Sequence, residues 1–148
     1  MSMKVSRELE VLHPILIQVQ KRIQTEVIDQ HNMPFRLFET GRHHTRHQGL
    51  VQKGKTKDLV SAHLYNLEYD PPLYATAIDY VYYDDKWSWN IRNATIRQWY
   101  KLFGHLVLTV CPELEWGGVN RDSTNYNHFQ LREHTIIDNL EKFPCTVF

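Results

Sequence analysis

Leu12, Ile15, Leu16, Val19, Ile23 and Val27 recur at steps of three and four, the spacing that gathers apolar side chains on one face of a helix. Pro14 suits the first turn of that helix, where its missing N–H costs nothing, and Asn32-Met33-Pro34 ends it. Phe35-Arg36-Leu37-Phe38-Glu39 reads as a short strand. Thr45 followed by Gln48 predicts a capping box and a short helix to about residue 53, before a loop over 54–57. Residues 75–83 are rich in β-branched and aromatic side chains and predict a strand, followed by a turn at Asp84-Asp85-Lys86 and a return strand from Trp87-Ser88-Trp89. A second helix is expected over 95–110, with Ile96, Trp99, Phe103, Leu106 and Val110 facing inward and Pro112 blocking its continuation. Leu114-Glu115-Trp116 and Phe129-Gln130-Leu131 predict short strands around a polar loop over 117–127, and a last helix is expected over 135–142. Helices and short strands without a regular βαβ alternation predict an α+β fold, a short antiparallel sheet flanked by helices.

Composition changes this picture little. A chain of 148 residues suits one domain with a core that needs no disulfide staples. No repeat or linker-like stretch divides it. Seventeen basic and seventeen acidic side chains balance, so nothing global argues for nucleic acid or an anionic membrane as partner, and a monomer is expected. Cys111 and Cys145 form no metal-binding spacing and read as two thiols in a reducing compartment. The N-terminus lacks the apolar core of a signal peptide, and no apolar run could span a bilayer. The expectation is synthesis in the cytoplasm with any export by another route.

Nine histidines raise a metal question that surface histidines answer for the most part. Taken singly, His63 reads as a loop residue, Asp79 as a carboxylate near a turn, and His128 as a half-buried strand residue. Their settings single them out. The ordered stretches are Phe35-Arg36-Leu37-Phe38-Glu39-Thr40-Gly41-Arg42, Gly54-Lys55-Thr56-Lys57, Ser61-Ala62-His63, Ala77-Ile78-Asp79-Tyr80-Val81-Tyr82-Tyr83, Lys86-Trp87-Ser88-Trp89, Leu114-Glu115-Trp116-Gly117-Gly118 and His128-Phe129-Gln130-Leu131. In order and rough spacing, over about residues 34–131, this series resembles the M15-type zinc peptidases of peptidoglycan. That family includes D-alanyl-D-alanine carboxypeptidases and the L-alanyl-D-glutamate endopeptidases that phages use as endolysins.

The resemblance implies a zinc site in a cleft, with His63, Asp79 and His128 as ligands. Two imidazoles and a carboxylate leave a fourth position for water, the catalytic rather than the structural pattern. It further implies Arg42 as the cation near the substrate carbonyl, for which a structural ion pair is an equal alternative, and Ser61 as a residue lining the substrate cleft. Trp87, Trp89 and Trp116 are expected in the core. The implied activity is hydrolysis of a peptidoglycan stem peptide, most like a phage L-alanyl-D-glutamate endolysin made in the host cytoplasm that reaches the wall after release, with a D-alanyl-D-alanine carboxypeptidase as the alternative that the shared zinc centre leaves open.

Two departures from the family pattern stand out. The family's proton-transferring carboxylate sits three residues before the last histidine ligand, where this chain has Asn125, and an amide cannot accept a proton at neutral pH. Asp122 swinging in from the loop, a zinc-binding but inactive chain, and residual activity are the three readings. Sixteen positions separate His63 from Asp79, where the family has a few; the extra 64–74 segment carries Glu68 and Asp70, with Asp70 the main rival to Asp79 as ligand. A loop shaping the cleft is the expected role of that segment. The cluster Arg42, His43, His44, Arg46 and His47 reads as a solvated basic surface.

Overall fold

A computed structural model describes residues 6–43, 62–119 and 125–147. Helix α1 (Pro14–Arg22) starts where His13 Nδ1 accepts the Ile15 N–H at 3.1 Å, and Pro14 occupies the first turn. Its winding then widens into a π-helical stretch, Ile23–Asp29, which brings Ile28 as well as Ile23 and Val27 into the core. Asn32, with φ of 50°, ends the run.

Strand β1 (Phe35–Glu39) lies beside β4 (Ala77–Tyr83), the central strand of an antiparallel sheet ordered β1-β4-β7-β6, with β6 at Leu114–Trp116 and β7 at His128–Leu131. Strand β5 (Trp87–Ser88) returns along the far end of β4 through the turn at Asp85, whose φ is 63°. Two short parallel strands, β2 (Arg42–His43) and β3 (Leu64–Tyr65), form a separate pair. Helix α2 (Ala94–Val110) is capped by the Asn93 side chain on the Ile96 N–H, and α3 (Glu133–Asp138) follows β7. This is the expected α+β arrangement.

Side-chain alternation gives the sheet two faces. Phe35 and Leu37, Ile78 and Tyr80, Phe129 and Leu131 point to the helices, where they join Leu16, Val19, Phe103 and Val107 in one buried cluster. The Phe35 and Phe103 rings stack at 4.2 Å. Asp79, His128 and Gln130 occupy the opposite face, as the pairings Ala77↔Gln130 and Asp79↔His128 require.

Three expectations need correction. The buried stripe of α2 is Tyr100, Phe103 and Val107, rotated from the predicted face, because the Tyr100 hydroxyl donates to the Ser88 carbonyl at 2.6 Å and accepts the Tyr82 N–H at 3.1 Å. A phenol so satisfied can enter the core. Trp116 is buried against Gly104, where a Cβ would come within 2.3 Å of its ring, but Trp89 is 47% exposed. The last helix begins at Glu133 and ends at Asp138, since of its side chains Ile136 is the buried one and the chain turns away at Asn139. The helix expected over 45–53 and the loop over 54–57 lie outside the described residues. Both cysteines are buried free thiols, and among the described residues no helix is long and apolar enough to cross a membrane.

Candidate metal centre

The β4–β7 register sets the first two residues of the site. Asp79 lies directly across from His128, and the flanking Tyr80 N–H bonds the Asn127 carbonyl at 2.9 Å. Pairs of this kind, between rather than within hydrogen-bonded rungs, bring side chains closest together. His63 arrives from outside the sheet. Its carbonyl accepts the Arg42 N–H, and the carbonyl of Ala62 accepts the Thr76 N–H at 2.7 Å, so the 62–63 segment is tied both to β2 and to the approach to β4.

The long separation between His63 and Asp79 is closed locally. Asn66 and Leu73 exchange backbone hydrogen bonds at 2.9 and 3.0 Å, and the Asn66 side chain accepts the Glu68 N–H. The segment therefore folds back on itself and delivers both ends to the same place. Glu68 and Asp70 are exposed on its turn. Among the described residues the group able to hold a metal ion is His63, Asp79 and His128, with one ligand atom from each and all three atoms within 4.8 Å of one another. Asp79, not Asp70, is the carboxylate that meets the histidines.

Both imidazoles are oriented from behind. His63 Nδ1 lies 2.8 Å from the Thr40 carbonyl, and His128 Nε2 lies 2.8 Å from Gln130 Oε1. Each oxygen calls for an N–H, which leaves His63 Nε2 and His128 Nδ1 to face Asp79 Oδ1, both at 3.2 Å. With neutral rings, three lone pairs converge on one spot. Protons or a cation must resolve that convergence. Burial alone would raise the Asp79 carboxyl, but hydrogen bonds from His128 and His63 and their charge outweigh it and hold it at about 2. Burial would lower His63, and the hydrogen bond and charge of Asp79, with the Thr40 carbonyl, raise it above its ordinary value.

The same geometry suits zinc. Bonds of about 2.0–2.2 Å in a tetrahedron place ligand atoms about 3.3 Å apart, close to the two 3.2 Å separations seen here. Outer hydrogen bonds from ligating histidines to a carbonyl or amide oxygen are the usual means of fixing such ligands.

The sheet also brings up a residue that sequence reasoning gave no role. A bulge at Phe38 shifts the β1 register by one, so Glu39 pairs with Asp79 and turns to the same face. Glu39 Oε1 accepts from Nε of Arg42 at 3.1 Å and lies 3.1 Å from its Nη2, with the two side chains 4% and 15% exposed. The structural ion pair considered for Arg42 is thus present beside the centre. Asn125 starts the turn into β7, its carbonyl facing the His128 N–H at 3.4 Å and its side chain lying against Gly117. Asp122 and Ser61 lie outside the described residues, as do His44, Arg46 and His47.

Thr40 and Gln130 were also missed. Gln130 carried a signal, because residues two apart on a strand share a face, whereas a backbone carbonyl such as that of Thr40 leaves no trace in a sequence. On the far side of Gln130 a cleft of about 410 Å³ opens, with Ala62, Thr76, Glu115 and Glu133 among its walls.

No protein-family model and no curated protein matches this chain. Among solved structures it is similar to the L-Ala D-Glu endopeptidase ChiX of Serratia marcescens, with a TM-score of 0.62 and 24% sequence identity over 86% of this chain and 85% of that one. At that identity the likeness establishes a shared fold.

Proposed function

We propose that this chain is a zinc-dependent hydrolase of peptidoglycan stem peptides, cutting the bond between L-alanine and D-glutamate as a phage-type endolysin would. The observation that carries the reading is the convergence of His63 Nε2, Asp79 Oδ1 and His128 Nδ1, each imidazole oriented by an outer oxygen. The shared fold with an enzyme named as an L-Ala D-Glu endopeptidase supports the choice of bond.

In this reading His63, Asp79 and His128 hold the ion, while Thr40 and Gln130 fix the rings. A bound zinc supplies Lewis acidity toward the scissile carbonyl and a water acidic enough to ionise near about pH 7. Arg42, held by Glu39, is the cation that meets the developing oxyanion. Ser61 lines the path of the peptide. The proton taken from water needs a carboxylate, and we assign it to Asp122, three positions before Asn125 in sequence, since the Asn125 amide is no base.

Asn125 favours a second reading, a zinc- or peptidoglycan-binding module of the same fold without turnover. Zinc analysis of protein purified without histidine-affinity media should give about one ion per chain under both readings. Less than about a tenth of that, with no gain on adding zinc, removes both. Hydrolysis of purified peptidoglycan, with products assigned by mass, then separates enzyme from binder. Asn125→Asp should raise turnover by roughly 10²–10⁴ if the base is missing, whereas no gain together with a loss in Asp122→Ala assigns the role to Asp122. If neither the parent nor Asn125→Asp cleaves any wall preparation, the hydrolase reading fails.

A further inference from the structure

The cleft beside the metal centre shares its rim with it. Gln130, which bonds His128, forms one wall, and Ala62, next to His63, forms another together with Thr76. Through Gln130 and Ala62 the cleft adjoins both histidines of the centre. Its walls include the aliphatic side chains of Leu64, Leu73, Ile136 and Val147, and among the described residues no lysine, arginine or histidine lines it.

Two carboxylates stand among its walls. Glu115 is cross-strand from Gln130, on the same face, and Glu133 opens α3 immediately beyond β7. Among the described residues neither has an ion-pair partner. Each has a local explanation, an edge-strand charge for Glu115 and a first-turn carboxylate for Glu133. Neither explanation accounts for their meeting at one cleft. Aliphatic walls with two unpaired carboxylates match an ammonium carried on an alkyl stem, whose chain packs on the apolar surface while its charged tip stays at the acidic groups.

We infer that this cleft takes a side-chain ammonium of the substrate peptide on the leaving-amine side of the scissile bond, with Glu115 and Glu133 as its counter-charges. The inference rests on the stem-peptide reading. It makes the two glutamates specificity residues that touch the substrate away from the reacting atoms.

The test uses the zinc-loaded full chain, isotopically labelled, and two dipeptides that lack the scissile bond: γ-D-glutamyl-L-lysine and its Nε-acetyl form. The lysine dipeptide should shift the backbone amides of Glu115, Gln130, Glu133 and Ile136 and bind roughly ten-fold more tightly than the acetylated one. Each of Glu115→Gln and Glu133→Gln, both at exposed positions where the fold tolerates the change, should cut that preference by up to about five-fold, and the double variant should abolish it. Equal binding of the two dipeptides, shifts elsewhere than the cleft, or a preference that survives in the double variant overturns the inference. A chain that cuts stem peptides without favouring the ammonium keeps the hydrolase reading and loses this pocket. One that cuts nothing but binds the lysine dipeptide in the cleft does the reverse.

Discussion

Replacing Asp79 by asparagine keeps the side chain's shape and removes the charge on which both imidazoles converge. In the metal-free chain this carboxyl is held at about 2 against an ordinary value of 3.8. A carboxyl whose folded-state value is depressed contributes stability that is present above its unfolded value and lost as pH falls through the folded one. The gap from 3.8 to about 2, at about 1.4 kcal/mol for each tenfold of proton affinity, amounts to about 2 kcal/mol. The side chain is 14% exposed, so solvent screening removes little of it. Urea unfolding of chelator-treated protein between about pH 5 and about pH 2 should show the parent losing about 2 kcal/mol more than Asp79→Asn. That window lies below the ordinary histidine range, which isolates the carboxylate. Equal acid losses in the two proteins would refute the clamp, and with it the claim that the three side chains are held together before any metal arrives.

Three further outcomes follow from the same geometry and from the core. Gln130→Ala removes the oxygen that orients His128, so zinc affinity should fall roughly 10–100-fold in competition with a chromophoric chelator, with Gln130→Glu retaining it; no change in the alanine variant would remove the orienting role. His63 is raised by Asp79, so its contribution to metal-free stability is present below the ordinary value of 6.5 and lost as pH rises through the raised one. Tm of chelated protein should therefore decline on the alkaline side, while zinc at about 100 times its Kd should add about 2.7 kcal/mol there; equal Tm with zinc and with chelator would count against the site. Gly104→Ala places a Cβ within 2.3 Å of the Trp116 ring and should destabilise by about 1–3 kcal/mol in urea, with altered tryptophan fluorescence; a variant as stable as the parent would show that Trp116 is seated elsewhere.

Much of the fold was legible because local signals agreed with the final packing. Pro14, the three-and-four spacing from Leu12 to Val27, and the stop at Asn32 set α1 and its extension. The β-branched run through Ile78 and Val81, with Asp85 at the turn, set β4 and β5. The face of α2 was not legible. Spacing allowed either Trp99 or Tyr100 to point inward, and the choice was made by bonds from the Tyr100 hydroxyl to Ser88 and Tyr82, partners that only the sheet supplies. The bulge at Phe38 was hidden for the same reason. An uninterrupted strand would turn Glu39 toward the helices, and one extra residue turns it toward Asp79 instead.

The candidate site divides along the same physical line. Asp79 and His128 are placed by strand register, and His63 by a segment that Asn66 and Leu73 close on itself, so sixteen positions of sequence become a short step in space. Strand register tolerates no slip, because a shift of one residue would send Asp79 or His128 into the helical core. The meeting of three side chains able to hold a metal is therefore built into the sheet and the segment that closes on it. The proton acceptor has no such support. Asn125 stands ahead of β7, outside any strand, and the fold constrains the identity of such a residue far less than that of a strand residue facing its partner. A chain of this fold can lose or relocate its base without disturbing the three side chains able to hold an ion. That asymmetry is why zinc content and turnover have to be measured separately, and why Asn125→Asp tests the chemistry without testing the centre.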